Sequence, residues 1–279
     1  MPTDGAGWFA GVEPDDVAAG AATVREGEAT SPADWPARAV AAGFADEEAE
    51  YYERLHAATV RAAREAAGES EAAPDRQLIH AVRAMDDCEE AANELAERAG
   101  EWAGAFYGEG GGGLAYAREV ADRDPDGATE ERIVALAGRA AALAEERDAL
   151  RAFVEREAPA VAPNLAAMAG PVLAARLIAL AGGLESLARK PSGTVQVLGA
   201  EDALFAHLEG RAPSPKHGVI YTHEAVRTTR PGDRGSAARA LAGKLAIAAR
   251  VDHYSGERKP ELDRELEARI DRIQSRGEG

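Results

Sequence analysis

Few residue clusters in this 279-residue chain could carry chemistry, and their surroundings decide against most of them. Gly108, Gly110 and Gly113 spell GxGxxG, but a dinucleotide loop must leave a strand and open a helix so that backbone amides face a pyrophosphate. These glycines follow a long helical pattern instead, so they read as a turn between two helices. His217 and His223 stand six apart with no third ligand at suitable spacing and no HExxH, which argues against a zinc set. Cys88 lies among Asp86, Asp87, Glu89 and Glu90, whose charge disfavours a thiolate nucleophile. The sequence also shows no Walker loop, GxSxG elbow or ordered carboxylate pair, so the expectation is a protein that is not an enzyme.

The stretch richest in chemical content runs from Gln196 to Arg250. Gly199, Ala200, Glu201 and Asp202 combine small residues and an acidic pair at a helix start, where free amides let another backbone approach. Pro215, Lys216, His217 and Gly218 form a positively charged turn leading into the apolar, strand-like Val219, Ile220 and Tyr221. Arg227, Arg230, Arg234 and Arg239 then punctuate a Pro/Gly loop and the helix after it. Guanidinium groups in a loop and along one helix flank suit phosphate, and the His217 imidazole could stack on a base. A solvated basic face around a structural loop is the other reading of the same residues.

A net charge of −17 ordinarily argues against a nucleic-acid partner, because phosphate binding relies on Lys and Arg. The average hides an asymmetry. Residues 1–160 carry a net −20, whereas 161–256 carry a net +4, with Arg176, Arg189, Lys190, Arg211, Lys244 and Arg250 completing the basic set. Only four of the basic residues are Lys, and the rest are Arg, whose weakly hydrated fork makes the better close contact. This pattern suits a salt-accumulating, halophilic cell, where net charge maintains solubility and screening shortens electrostatic reach. A single Cys excludes an intramolecular disulfide and points to a reducing, cytoplasmic compartment. No basic-then-apolar leader opens the chain, and Gly170, Pro171 and Arg176 interrupt the most membrane-like window, so a buried helix and no membrane association are expected.

The elements that must position these residues are mostly helical. Sixty-six Ala and 5% aromatics predict helices with shallow, close-packed seams. The first 73 residues are rich in breakers (Gly5, Gly7, Gly11, Pro14); Trp8, Phe9, Val12 and Val24 are placed on short strands of a small α/β unit, with a helix over 47–67 and a linker over 68–74. Asp75 is the expected N-cap of a long helix reaching Phe106. A second long helix spans about 129–157, where Ile133, Leu136, Ala140, Leu143, Arg147, Leu150 and Val154 alternate steps of three and four. Such a seam packs either within the chain or as a self-association arm. Beyond it come one helix over 165–187, a short apolar stretch at 194–198, helices over 201–209 and 234–254, and a charged segment from Glu257 that continues as a frayed helix.

At these residues the chain resembles the Nop domain of box C/D guide-RNA particles. The run Ala162, Pro163, Asn164, Leu165 through Gly170, Arg176, Leu184 and Pro191 resembles the opening of that domain. Gln196, Leu198, Gly199, Ala200, Glu201, Ala203, Leu204 and Phe205 match its most specific signature, and Pro215, Lys216, Gly218, Tyr221, Ala238, Arg239, Lys244, Arg250 and Asp252 complete it. Upstream, Arg98, Glu101, Trp102 and Phe106 are similar to the end of the family's first long helix. The sequence departs from the family at Asp202, where Lys is usual, and at Asp233–Ser236, where the usual basic loop keeps one basic residue.

The resemblance implies a mainly α scaffold. Residues 1–73 would be an α/β domain that docks fibrillarin, the S-adenosylmethionine-dependent 2′-O-methyltransferase; 74–160 a pair of antiparallel coiled-coil helices forming a homodimer; 161–256 an all-α Nop domain; and 257–279 a charged tail. That Nop domain would grip a box C/D guide RNA together with a ribosomal-like kink-turn-binding protein, for methylation of rRNA or tRNA. The cofactor would belong to the methyltransferase, and none is expected in this chain. The expected RNA-side residues are Gln196, Gly199, Ala200, Glu201, Asp202, Arg211, Lys216, His217, Arg230, Arg234, Arg239 and Lys244, and the expected dimer residues are Ile133, Leu136, Ala140, Leu143, Leu150 and Val154. A helical interaction protein without an RNA role is the rival. The acidic composition predicts that circular dichroism recorded while salt is dialysed away will show loss of helix; full retention of helix without salt would refute the halophilic reading.

Overall fold

The computed structural model describes residues 7–27, 31–108 and 110–275, which form two compact units, 1–73 and 74–279. Gly5 and the last four residues of the expected tail lie outside the described residues.

In the first unit, α1 (Val17–Glu26) starts at Asp16, whose carboxylate accepts from the amides of Ala18 and Ala19; α2 (Trp35–Ala41) starts at Asp34 with Pro36 in its first turn; α3 is Glu48–Glu71. The strands expected here are absent among the described residues. Trp8 and Phe9 lie in a turn and Val24 in α1. Rather than alternating along a pleat, the aromatics collapse on one another. Trp8 meets Phe44 edge-on at 5.2 Å, Phe9 stacks on Phe44 at 5.5 Å, and the Trp8 indole donates to the Tyr51 hydroxyl at 3.2 Å. The linker expected over 68–74 is mostly the last turn of α3. There Glu69 accepts a fork from Arg25, at 2.9 and 2.5 Å, which holds its carboxyl below the ordinary range.

The second unit begins with a helical hairpin. Helix α4 (Pro74–Tyr107) and α6 (Ala128–Val161) run antiparallel, with α5 (Gly113–Ala121) covering the end where they join. Gly108 and Gly113, at φ +73° and +71°, turn the chain between α4 and α5, a conformation that side chains resist. The helix expected to end at about 157 runs on through Pro159 for two more residues. The buried line on α6 is Ile133, Ala137, Ala140, Ala144, Val154 and Ala158, facing Ala96, Ala99 and Ala103 at one end of α4 and Leu78, Val82 and Met85 at the other. Ile133, Ala140 and Val154 of the anticipated dimer stripe are therefore buried inside the chain itself. Leu136 and Leu150 pack half-buried against the same cores, and Leu143 is half-buried. The stripe followed the larger side chains, whereas helices this close select alanine. Trp102 and Phe106, 40% and 48% exposed, lie on another face of α4.

Nine shorter elements complete the unit: α7 (Pro163–Ala169), α8 (Pro171–Ala181), α9 (Leu184–Arg189), α10 (Ser192–Val197), α11 (Glu201–Leu208), a 3-10 turn at Val219–Thr222, α12 (Glu224–Arg227), α13 (Arg234–Tyr254) and α14 (Glu261–Gln274). The single helix expected over 165–187 is three helices. Gly170 at φ +79° followed by Pro171 bends α7 against α8 by 118°, and the Gly182–Gly183 pair ends α8. No single helix among the described residues is long and apolar enough to cross a membrane; the bent pair meets that test only jointly, and most of its residues are buried against the rest of the unit. Val219–Tyr221, expected as strand-like, forms the 3-10 turn. The segment expected to fray becomes α14, which lays Leu262, Leu266, Ile270 and Ile273 into the core.

Helix α13 is the central element, burying Ala237, Ala238, Leu241, Ala242, Leu245, Ala246, Ala248 and Ala249 against its neighbours. One buried polar knot fastens it. Asp252 accepts from the Asn164 amide (2.9 Å) and side chain (2.6 Å) through one oxygen and from the Leu165 amide (2.8 Å) through the other. Asn164 in turn donates to the Glu257 carbonyl and accepts from the Lys259 amide and the Arg258 guanidinium, so α7, α13 and the turn into α14 share one network. Asp75 does not cap its own helix as expected. Its carboxylate accepts from the Leu184 amide at 2.9 Å and so caps α9, fixing the base of the hairpin to the helical domain. In urea unfolding, Asp252→Ala should cost about 3 kcal/mol by stranding three buried donors, with Asp252→Asn between it and the parent. A loss no larger than that of the exposed-pair variant Arg189→Ala would show that the knot does not hold the fold.

Candidate nucleic-acid interface

The basic loop is held by backbone crossing backbone. After α10 the chain turns at Gly199, φ +78°, while Gly218 passes close enough that a Cβ there would fall on the Leu198 carbonyl. The crossing is tied by the Gly218 amide on the Gln196 carbonyl (2.9 Å) and the Val219 amide on the Leu198 carbonyl (2.7 Å). The Gln196 side chain donates to the Lys216 carbonyl at 2.7 Å, and the Gly199 amide donates to the Glu201 carboxylate at 2.9 Å. Gln196, Gly199 and Glu201 thus shape the loop through their own backbone and side-chain bonds. Ala200 is the cap position of α11, and Asp202 is exposed in its first turn.

Below the loop lies a three-layer stack. His217 sits face to face with Tyr221 at 4.6 Å, and the Arg234 guanidinium lies 5.5 Å from the Tyr221 ring centre. Arg234 also donates to the carbonyls of Thr229 (2.9 Å) and Arg227 (3.3 Å), so it closes the loop that leads into α13. Its expected role as a free phosphate ligand gives way to this structural one, and one face of the His217 ring is already covered.

The same test sorts the remaining cations. Arg211 pairs with Glu209, Arg230 with Asp233, Lys244 with Glu265 of α14, Arg189 with Glu185 and Arg176 with Asp86. Arg250 donates to the carbonyls of Ala188 and Lys190. Most of the local positive surplus is therefore engaged within the unit, so Arg211, Arg230 and Lys244 of the expected RNA-side set already have carboxylate partners. Lys190, Lys216, Arg227 and Arg239 have no side-chain partner among the described residues.

Two of these four come together with a helix start. Lys216 runs along Gly235, its Cδ 3.9 Å from where a Cβ would stand, so the first turn of α13 is open to an ammonium on one side. The Asp233 side chain pairs with Arg230 instead of making a cap bond, and the amides of Arg234 and Ser236 donate to the Arg230 and Asp233 carbonyls, which leaves the Gly235 amide without a backbone partner. Arg239 stands exposed just over one turn further along. No residue of α11 is buried, and Phe205 and Leu208 are 62% and 72% exposed. Sequence reasoning missed Tyr221 and Gly235 as site residues; the signal for Gly235 was a glycine inside the first turn of a helix, where it costs stability unless something must come close.

The chain is similar to known proteins. The family model described as "Nop: snoRNA binding domain, fibrillarin" matches residues 117–274, from within α5 to the end of α14. An uncharacterised NOP5 family protein of Methanocaldococcus jannaschii is 49% identical over 131 residues, covering 47% of this chain and 32% of that protein. Nucleolar protein 58 of Schizosaccharomyces pombe is 34% identical over 244 residues, covering 72% of this chain and 47% of its own length. The chain thus spans a third to a half of these curated relatives. A chain of the crystal structure of a fibrillarin/Nop5p complex superposes with a TM-score of 0.54 at 25% identity over 91% of both chains. With more than half of its residues matched by that model, the chain belongs to the Nop family.

Proposed function

We propose that this chain is a non-catalytic scaffold of a box C/D ribonucleoprotein, holding guide RNA at its helical domain and a fibrillarin-type methyltransferase at its amino-terminal unit. The observation that carries the reading is the open first turn of α13, with Lys216 beside Gly235 and Arg239 along the helix. The Gly235 amide, together with one ammonium and one guanidinium, offers the donors of a phosphate seat. The exposed apolar residues Phe205 and Leu208 of α11 fit a protein surface, which supports a composite partner of RNA and a kink-turn-binding protein. The family description names snoRNA binding and fibrillarin, and the superposed structure is of a fibrillarin complex. The strongly acidic amino-terminal unit offers a complementary surface to a basic partner. S-adenosylmethionine would then be held by that partner, and the compartment would be the cytoplasm.

Self-association through the arm belongs to the same reading, with a changed surface. Because Ile133, Ala140 and Val154 are used inside the chain, the dimer face falls to Trp102 and Phe106, four apart on α4 and both exposed. Aromatic anchors of this kind are what a coiled-coil homodimer contact needs.

Two measurements test the proposal. Lys216→Ala combined with Arg239→Ala should weaken binding to a kink-turn RNA carrying its kink-turn protein about tenfold or more, and make the log–log salt dependence shallower by about 1.5. Arg211→Ala should change neither. Unchanged affinity of the double variant at matched salt would favour a helical interaction protein without an RNA role. In light scattering, Trp102→Ala with Phe106→Ala should convert dimer to monomer while helix content stays constant; a persisting dimer would place the contact elsewhere.

A further inference from the structure

A groove of about 380 Å³ opens where α7, α12 and α14 meet. Met168, Ala225, Leu266 and Ile270 give it an apolar lining, and Ala167 stands exposed on its α7 side. The α12 side is pinned in place. One ring nitrogen of His223 bonds the Met168 carbonyl at 3.0 Å, and the other accepts from the Ala225 amide at 3.1 Å. Helix α12 is thereby tied to α7, and the groove is formed in advance of any occupant.

The charged part of the lining has one sign. Glu224 of α12 and Asp263, Glu267 and Asp271 of α14 line the groove, and no Lys or Arg does. On α14 the three carboxylates stand four apart, so they share one side of the helix, where like charges at that spacing destabilise it. Asp263 pairs through one oxygen with Arg258, and its other oxygen is buried with no hydrogen-bond partner among the described residues. Glu224, Glu267 and Asp271 are exposed and have no cationic partner there. Carboxylates around an apolar floor repel a phosphate backbone. They suit a Lys or Arg side chain, whose aliphatic stem lies on the apolar lining while its charged head meets the carboxylates.

We infer that this groove docks a basic segment of a partner protein, one in which Lys or Arg side chains are interspersed with apolar ones. The charge selects the partner at short range, and the apolar floor supplies contact that salt does not screen. The inference goes beyond the scaffold reading and does not rest on the phosphate seat, the methyltransferase or a dimer.

Fluorescence anisotropy with the full chain and a labelled peptide of repeated Lys-Leu-Lys-Lys-Leu units tests it. Glu224→Gln combined with Glu267→Gln and Asp271→Asn should weaken peptide binding about tenfold. Asp87→Asn with Glu90→Gln and Glu94→Gln removes the same charge from exposed positions of α4 and should change binding less than about twofold. Ala167→Trp, which fills the groove from an exposed position, should weaken the peptide about as much as the groove charge variant, with helix content constant. Binding of kink-turn RNA with its protein should be the same in all three variants, so failure here is distinguishable from failure of the scaffold reading. Equal weakening by the two charge variants would assign the attraction to the acidic surface at large. That result, an unaffected Ala167→Trp, or no saturable peptide binding by the parent overturns the inference.

Discussion

The carboxylate of Asp252 is the interaction on which the helical domain depends. It lies near the end of α13, almost fully buried, and three donors from the start of α7 converge on it. Through Asn164 the same knot reaches the turn into α14. An ionised side chain without such partners would not remain buried there, and helices whose seams consist largely of alanine bury too little area to set their own crossing point. A directional, satisfied polar cluster supplies the geometry that shape alone leaves loose. The open end of α13, where the candidate phosphate seat lies, is at the other end of the helix from this anchor.

The site itself is a consequence of backbone economy. Gly218 and Gly199 let two segments cross, Gln196 ties the crossing, and Lys216 is thereby carried to Gly235. Arg234 and Tyr221 support this arrangement through the carbonyl bonds and ring contact they make. The residues that match the family signature thus largely build a loop, and few charged groups beside it are left without a partner. For an acidic protein this has a physical logic: bonded guanidinium groups keep the domain folded, while a small number of unengaged cations and a helix terminus act at short range, where salt screens least.

The hairpin is closed in two ways. At its distal end Ala96, Ala99 and Ala103 face Ala137 and Ala140, so the helices approach closely, whereas at its base Leu78, Val82 and Met85 face Val154 as part of the core of the helical domain.

Much of this was legible in the residues alone. Helical periodicity located α3, α4, α6 and α13, breakers located the turn at Gly108–Gly113, and the local excess of Arg and Lys singled out the region that the family model later matched. Periodicity could not tell which of two adjacent stripes on α6 faces inward, because Leu and Ala compete for a seam and helix spacing decides between them. It also placed strands in the first unit, where aromatics cluster around turns, and passed over the bend at Gly170–Pro171. Some cation partners were local, as with Arg189 on Glu185 and Arg230 on Asp233, but others were decided by tertiary structure alone: Lys244 meets Glu265 and Arg176 meets Asp86, 21 and 90 positions distant, and no local pattern encodes those distances.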